Sequence, residues 1–406
     1  MGFQQGLSGL NAAARNLDVI GNNVANANTV GFKAGNALFA DVYANAVSGS
    51  SGMMAGIGTT LAAIQQDHAQ GNISVSTNPL DMAINGNGFF RMSQNGAVSY
   101  SRNGQFHLDK DGYIVNAQGA RLTGYPAGPN GTVVASTPGD LQVSAADIDP
   151  SATTEAGVGL NLDSRKTAIT AAFNLNDPAT YHHATSMSVY DSLGNEHTLS
   201  MYFVKTAANT WSVFAANDGA QVGTAAVGTL NFDSSGNINS STTTLPFSLS
   251  LPLTTGATTP MTVDLDFTGS TQFGSIFGVN ELTQDGYASG RLTGFNISGD
   301  GTIMGRYSNG QSRAQGQVTL ATFTNLHGLQ PLGGNLYAES AASGQPIVGV
   351  PQSGSLGVLQ AGAVEDSNVD LTAELVDMIT AQRVYQANAQ TIKTQDAVLQ
   401  TLVNLR

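Results

Sequence analysis

The side chains best suited to chemistry are two adjacent histidines, His182 and His183, and the acidic run Asp109-Lys110-Asp111-Gly112. Successive residues of a strand point to opposite faces, so the two histidines cannot hold one metal ion together. The acidic run opens like a calcium loop, but Lys110 and the lack of a closing Glu break that pattern, and a hairpin turn accounts for it better. Gly299-x-Gly301 has Met304 where a dinucleotide fingerprint needs glycine, and no Gly-x-Ser-x-Gly, His-Glu-x-x-His or P-loop occurs. Carboxylates could pair after folding, as in glycosidases, yet the order of residues places no such pair. With no cysteine there is no disulfide, thiolate metal site or Cys nucleophile. The residues thus give no catalytic, cofactor-binding or metal site, and an enzyme is not expected.

What remains is the scaffold. Charged residues make up only 11% of the 406, and 15 Lys+Arg against 28 Asp+Glu leave a net charge of -13. That sign repels phosphate backbones and anionic lipids, so nucleic acid and membrane surfaces are poor partners. A surface of Gly, Ser, Thr, Asn and Gln can instead be covered by a neighbouring subunit without stranding a charge. The first residues lack a basic segment followed by an apolar one, and no stretch approaches the length of a spanning helix. Export without a cleaved signal peptide is expected. The length predicts two or three domains.

Both ends show helical spacing. Phe3, Leu7, Leu10, Ala14, Leu17 and Val24 alternate in steps of four and three, interrupted at Gly21, as in a coiled-coil seam. Gly2, Gly6, Gly9 and Gly21 each cost such a helix about 1 kcal/mol relative to Ala, so it is expected to order only when something packs on it. Near the other end, a capping box from Ser367 to Asp370 precedes Leu371, Leu375, Met378, Gln382, Tyr385, Ala389, Ile392, Asp396, Leu399 and Val403 in the same alternation. No Gly or Pro follows Ser367, which predicts a rod of roughly 60 Å at about 1.5 Å per residue. Either helix could simply dock on the body. The weakness of the first helix and the spacing of both seams favour pairing of the ends and stacking of copies. The assembly interface is therefore expected at Phe3, Leu7, Leu10, Leu17, Val24, Leu371, Leu375, Met378, Tyr385, Ile392, Leu399 and Val403.

The middle reads as antiparallel β. Turn dipeptides recur at Asn95-Gly96, Asn103-Gly104, Asp111-Gly112, Asn130-Gly131, Asp218-Gly219, Asp285-Gly286, Asp300-Gly301 and Asn309-Gly310, and each favours a two-residue hairpin. Between them run one-sided alternations such as His197, Leu199, Met201 and Phe203. Asp111-Gly112-Tyr113 leading to Arg121-Leu122-Thr123-Gly124 is echoed by Asp285-Gly286-Tyr287 leading to Arg291-Leu292-Thr293-Gly294. The echo brackets a Thr/Ser-rich insertion that holds the only tryptophan, Trp211. The expected domains are 1–33 with 367–406 (helical), 34–71 with 347–366 (connectors), 72–145 with 282–346 (inner β) and 146–281 (inserted outer β).

Several stretches go beyond periodicity. Gly21-Asn22-Asn23-Val24-Ala25-Asn26-Ala27-Asn28-Thr29-Val30-Gly31-Phe32-Lys33 and Ala387-Asn388-Ala389-Gln390-Thr391-Ile392-Lys393-Thr394-Gln395-Asp396 resemble the terminal signatures of the bacterial flagellar rod, hook and hook-filament junction family. Ile84-Asn85-Gly86-Asn87-Gly88-Phe89-Phe90 and Tyr100-Ser101-Arg102-Asn103-Gly104-Gln105-Phe106 resemble its shared β domain, and the run from Ser186 to Asn195 resembles the outer domain of the hook branch. The resemblance implies a mainly β fold with α-helical termini: paired, coiled-coil-like end helices, a discontinuous antiparallel β domain and an inserted β-barrel-like outer domain. It implies a structural role without cofactor, polymerisation into a curved tube that works as a universal joint in the extracellular flagellum, and type III export. Its partners would be copies of itself, distal rod, cap and junction proteins, the export apparatus and a length-control protein. A distal rod or junction subunit, or a secreted β-rich adhesin or carbohydrate-active protein with a helical stalk, is the alternative.

Overall fold

The computed structural model describes residues 2–42, 56, 58–128 and 130–404. The part of the expected connector at 43–55 and 57 lies outside these residues. In sequence the β segments lie between two long helices: α1, Gly2–Ala25, and α2, Leu371–Asn404. The chain is divided into two compact units, one of Met1–Ser144, Gly294–Arg306 and Ser312–Arg406, the other of Ala145–Thr293 and Tyr307–Gln311.

In the first unit, Phe89–Gln94 pairs antiparallel with Ala97–Ser101 and Arg121–Pro126, and Ser312–Val318 pairs with Arg121–Pro126. Phe89, Tyr100, Ala321, Phe323, Leu329 and Tyr337 make an aromatic core over this sheet, with Tyr100 set edge-on to Phe323 at 4.8 Å. Two short ladders then fasten the approach to α2: Val358–Ala361 on Met82–Asn85, and Ala363–Glu365 on Ile73–Val75. The expected connectors are thus partly structured. Gly35–Val42 and Gly58–Gln66 form an antiparallel hairpin lying against α1, where the Gln5 side chain donates to the Gly56 carbonyl at 2.7 Å.

The second unit corrects the barrel-like expectation. Its strands form two separate sheets, one of Phe247–Leu251, Met261–Asp266, Glu155–Asn161 and Gly278–Gln284, the other of His183–Tyr190, Glu196–Ala207, Thr210–Asn217, Ala220–Gln221 and Gly228–Asn231. Among the described residues no ladder closes the two into a barrel. The cause is visible in the pattern: Val158, Leu160, Leu249, Val263 and Leu265 from one sheet meet Met201, Phe203, Trp211, Val213 and Leu230 from the other across one core, so two half-buried faces satisfy each other as a sandwich. Trp211 is fully buried and donates its indole N–H to Gln272 Oε1 at 2.7 Å.

The turns also differ from the dipeptide reading. Asn95-Gly96 and Asp218-Gly219 hold positive φ at both residues, as a two-residue hairpin requires. Asp111-Gly112 instead closes a longer loop, in which Asp109 Oδ1 accepts from Asp111 and Tyr113 N–H and Gly112 donates to the Asp109 carbonyl. The same arrangement recurs at Asn116, Asp191 and Asp233, each followed three residues later by a glycine of positive φ. Asn103-Gly104 and Asp285-Gly286 are not positive-φ turns. A Cβ on Gly104 would lie 1.6 Å from the Met82 carbonyl oxygen, so that glycine serves close approach. The two halves of the sequence echo therefore adopt different turns.

Candidate assembly site at the junction of the chain ends

α1 and α2 run antiparallel, and the contact is set by small residues. A Cβ on Gly6 would come within 3.1 Å of Ile392 Cγ1, and one on Gly9 within 2.7 Å of Asn388 Oδ1. The face of α1 that turns to α2 is therefore Gly6, Gly9, Ala13, Ile20 and Asn23, at successive steps of three, four, seven and three. This face sits one residue, or about 100° around the helix, from the apolar seam read in the sequence. The glycines read as a cost to the helix are what let its partner approach. A groove of about 450 Å³ remains between the helices and the hairpin, lined by Ala12, Ala13, Val19, Ile20, Ala381 and Val384 among others.

The residues expected at the interface divide into three groups. Met378 and Ile392 lie half-buried along the face of α2 that meets α1. Leu10, Leu17 and Val24 are half-buried, whereas Phe3 and Leu7 are 47% and 43% exposed, and Leu371 and Leu375 41% and 48%. Tyr385, Leu399 and Val403 are also exposed. The last two stand beyond the reach of the partner helix, because α2 has 34 residues and α1 has 24, so that α2 runs on by ten. On α1 the apolar seam thus lies beside the inward face, half-buried along most of its length and exposed at Phe3 and Leu7, whereas on α2 Met378 and Ile392 turn inward while other members of the same series stay exposed. Five polar side chains of α2 are satisfied within it: Thr380, Asn388, Thr391, Thr394 and Thr401 each donate to the carbonyl four residues back. A helix with its donors internally paired can be covered without stranding them. Its cap differs from the expected box. Asp370 Oδ1 accepts from Thr372 and Ala373 N–H, and Ser367 Oγ accepts from Val369 N–H.

Where the two ends leave the body, three of the quoted motifs converge. Lys33 Nζ meets Glu365 Oε1 at 2.6 Å and also donates to the Ala69 carbonyl at 2.6 Å. Arg102 Nη1 reaches Glu365 Oε2 at 3.1 Å, and Nη2 donates to the Gly86 carbonyl at 2.8 Å. Gly71 N–H adds a third donor to Glu365 Oε1 at 3.0 Å. The Lys33 and Glu365 side chains are fully buried and Arg102 nearly so. Burial pulls the Lys33 ammonium and the Arg102 guanidinium below their usual pKa values, against the opposing pull of Glu365. The Arg102 guanidinium also sits over the Phe89 ring, 5.4 Å from its centre.

Around this cluster lie further ties between the ends. Gly31, at φ +71°, donates to the Glu365 backbone carbonyl at 2.7 Å. Ala34 N–H donates to Asn368 Oδ1 at 2.8 Å, and buried Asn23 donates both to the Gly35 carbonyl and to Glu374 Oε1 at 2.8 Å. The family-like sequence motifs contain Asn23, Lys33 and Arg102 without pointing to a role for any of them, and Glu365 and Asn368 stand in none of them. A signal was present: in so charge-poor a chain, a lone cation beside glycines and aromatics calls for a buried partner.

Elsewhere, His197 in the second unit is held by Asp218 Oδ2 at 2.7 Å and by fully buried Asp191 at 3.4 Å. Burial alone would lower its pKa, but bonds to both carboxylates outweigh that and raise it. His182 and His183 surround Trp211, their rings 5.4 and 6.0 Å from it, and burial lowers both pKa values. Among the described residues no group of three or more His, Cys, Asp or Glu could hold a metal ion.

A mainly β body closed by two associating terminal helices, with the joining motifs locked together by buried charge, defines a subunit built on its own two ends. Comparison with known proteins places it. Residues 3–33 match the flagella basal body rod protein family, 83–161 the flagellar hook protein FlgE/F/G D1 domain, 161–287 the flagellar basal body protein FlaE D2 domain, and 360–405 the flagellar basal body rod FlgEFG protein C-terminal family. The chain is 44% identical to the flagellar hook protein FlgE of Salmonella typhimurium across 100% of both chains. It is 33% identical to that of Borreliella burgdorferi across 99% of this chain and 98% of the other. A crystal structure of a Helicobacter pylori flagellar hook protein shares the fold with a TM-score of 0.54 at 15% identity, covering 72% of this chain and 99% of that one. The chain belongs to the flagellar hook protein family, a family of structural proteins.

Proposed function

We propose that the chain polymerises with itself into a short curved tube that passes motor torque from rod to filament as a universal joint, and that it does so without cofactor or catalysis. What carries this reading is the set of apolar side chains left exposed on the terminal helices, Phe3, Leu7, Leu371, Leu375, Leu399 and Val403, in a chain related over its whole length to hook proteins. Residues 1–33 and 367–406 would line the tube as a coiled-coil-like pair, with 34–71 and 347–366 as connectors. Residues 72–145 with 282–346 would form a discontinuous inner β layer, and 146–281 the outer one. Interfaces of uncharged polar groups can slide, as a bending tube demands each turn. Distal rod, hook cap, junction and length-control proteins and the flagellar export apparatus are the proposed partners, with export unfolded and without a cleaved signal. Full-length coverage of hook proteins favours this reading over a distal rod or junction subunit.

Replacing Leu371 and Leu375 by Asp tests it. Trp211 fluorescence should stay native while concentrated protein forms no tubes in electron micrographs. Normal tubes would remove these residues from the interface.

A further inference from the structure

Glu365 occupies a position that neither its sequence surroundings nor the family resemblance singles out. Its side chain is the meeting point of Lys33, which ends the N-terminal motif, Arg102, which belongs to the β body, and the Gly71 backbone. Its own backbone accepts from Gly31. Five residues later α2 begins. Two cations share one carboxylate here, so losing Lys33 leaves a neutral Arg102–Glu365 pair, whereas losing the carboxylate leaves two buried cations without an anion. The neighbouring ties through Asn368 and Glu374 are not fully buried, and partly solvated bonds of that kind hold position weakly.

We propose that Glu365 is a positioning residue for assembly: by holding the exit of α1 and the entry of α2 at one buried point, it fixes the register in which the two helices pair. The close seating of Gly9 on Asn388 and of Gly6 on Ile392 depends on that register, since a slide of one turn would bring side chains against the glycine face. A mis-registered pair would also present its exposed apolar side chains out of step. The proposal rests on the reading of the helices as the polymerising element only for its consequence, because register can be measured in the unassembled chain.

The chain has no cysteine, so an engineered pair reports register directly. In full-length protein, Gly9→Cys with Asn388→Cys should form a disulfide on mild oxidation, while Gly9→Cys with Ile392→Cys, one turn further along α2, should not. Adding Glu365→Gln should lower the in-register yield about tenfold relative to the offset yield, the ratio expected from losing one buried charge-assisted bond. Trp211 fluorescence should remain native. Lys33→Met, which keeps the neutral Arg102–Glu365 pair, should shift the ratio in the same direction without lowering thermal stability as far, so the test survives if Glu365→Gln fails to fold. Unchanged crosslink ratios in Lys33→Met and Glu365→Gln would overturn the proposal. A shifted ratio with normal tubes would uphold the positioning role and count instead against the helices as the polymerising element.

Discussion

Gly31→Ala should uncouple the N-terminal helix from the body at a calculable cost. Gly31 sits at φ +71°, where a Cβ costs about 1–2 kcal/mol. That Cβ would stand 2.5 Å from the Asn103 backbone nitrogen and 2.8 Å from the Arg102 carbonyl carbon, and backbone cannot rotate aside as a side chain can. Relief requires the Gly31 segment to lift, which stretches its 2.7 Å bond to the Glu365 carbonyl, worth about 1 kcal/mol. The sum is about 2–3 kcal/mol, borne by the first unit. With a urea dependence of about 2 kcal/mol per molar, the unfolding midpoint followed by helical circular dichroism should fall by roughly 1–1.5 M. Trp211, the only tryptophan and buried in the second unit, should report an unchanged transition. A loss under about 1 kcal/mol would refute the argument that this glycine is demanded by conformation and packing together.

Three further outcomes follow from the same packing. Nothing lies within 4 Å of a Cβ on Gly21, so Gly21→Ala should raise helix content and stabilise α1 by up to about 1 kcal/mol; a destabilised monomer would contradict the open space there. Burial, and then Lys33, depress His68 to about 4; its stabilisation is complete above pH 6.5 and drains away as pH falls toward 4, by at most about 3 kcal/mol, and His68→Gln should flatten that slope in urea titrations. His197 has the opposite sign: with its pKa raised, its contribution is full below 6.5 and lost as pH rises through the folded value. The Trp211 melting midpoint should therefore drop as pH rises above 6.5 in the native chain and stay level in His197→Asn.

The helices were legible because their period needs only local sequence, and the buried face of each was not, because it depends on what the partner offers. Steps of three and four fit two neighbouring stripes on α1, and only the glycines opposite Asn388 and Ile392 decide which turns inward. Lys33 and Glu365 are separated by 332 positions, so no spacing rule could join them. Alternating strands revealed both β regions, whereas sandwich against barrel depended on edge pairing, which alternation does not encode. Turn dipeptides marked Asn95-Gly96 and Asp218-Gly219 correctly, yet Asn103-Gly104 shows that a glycine demanded by a carbonyl on another segment looks the same in sequence.

The unequal length of the two helices has a mechanical corollary. α2 outlasts α1 by ten residues, roughly 15 Å, and displays Val398, Leu399 and Val403 on that free stretch. In a stack of such subunits the projecting tongue of one must lie alongside the body of another, as bricks overlap in a bonded wall. A crack then has no straight plane to follow, and tension along the axis becomes shear between long parallel rods.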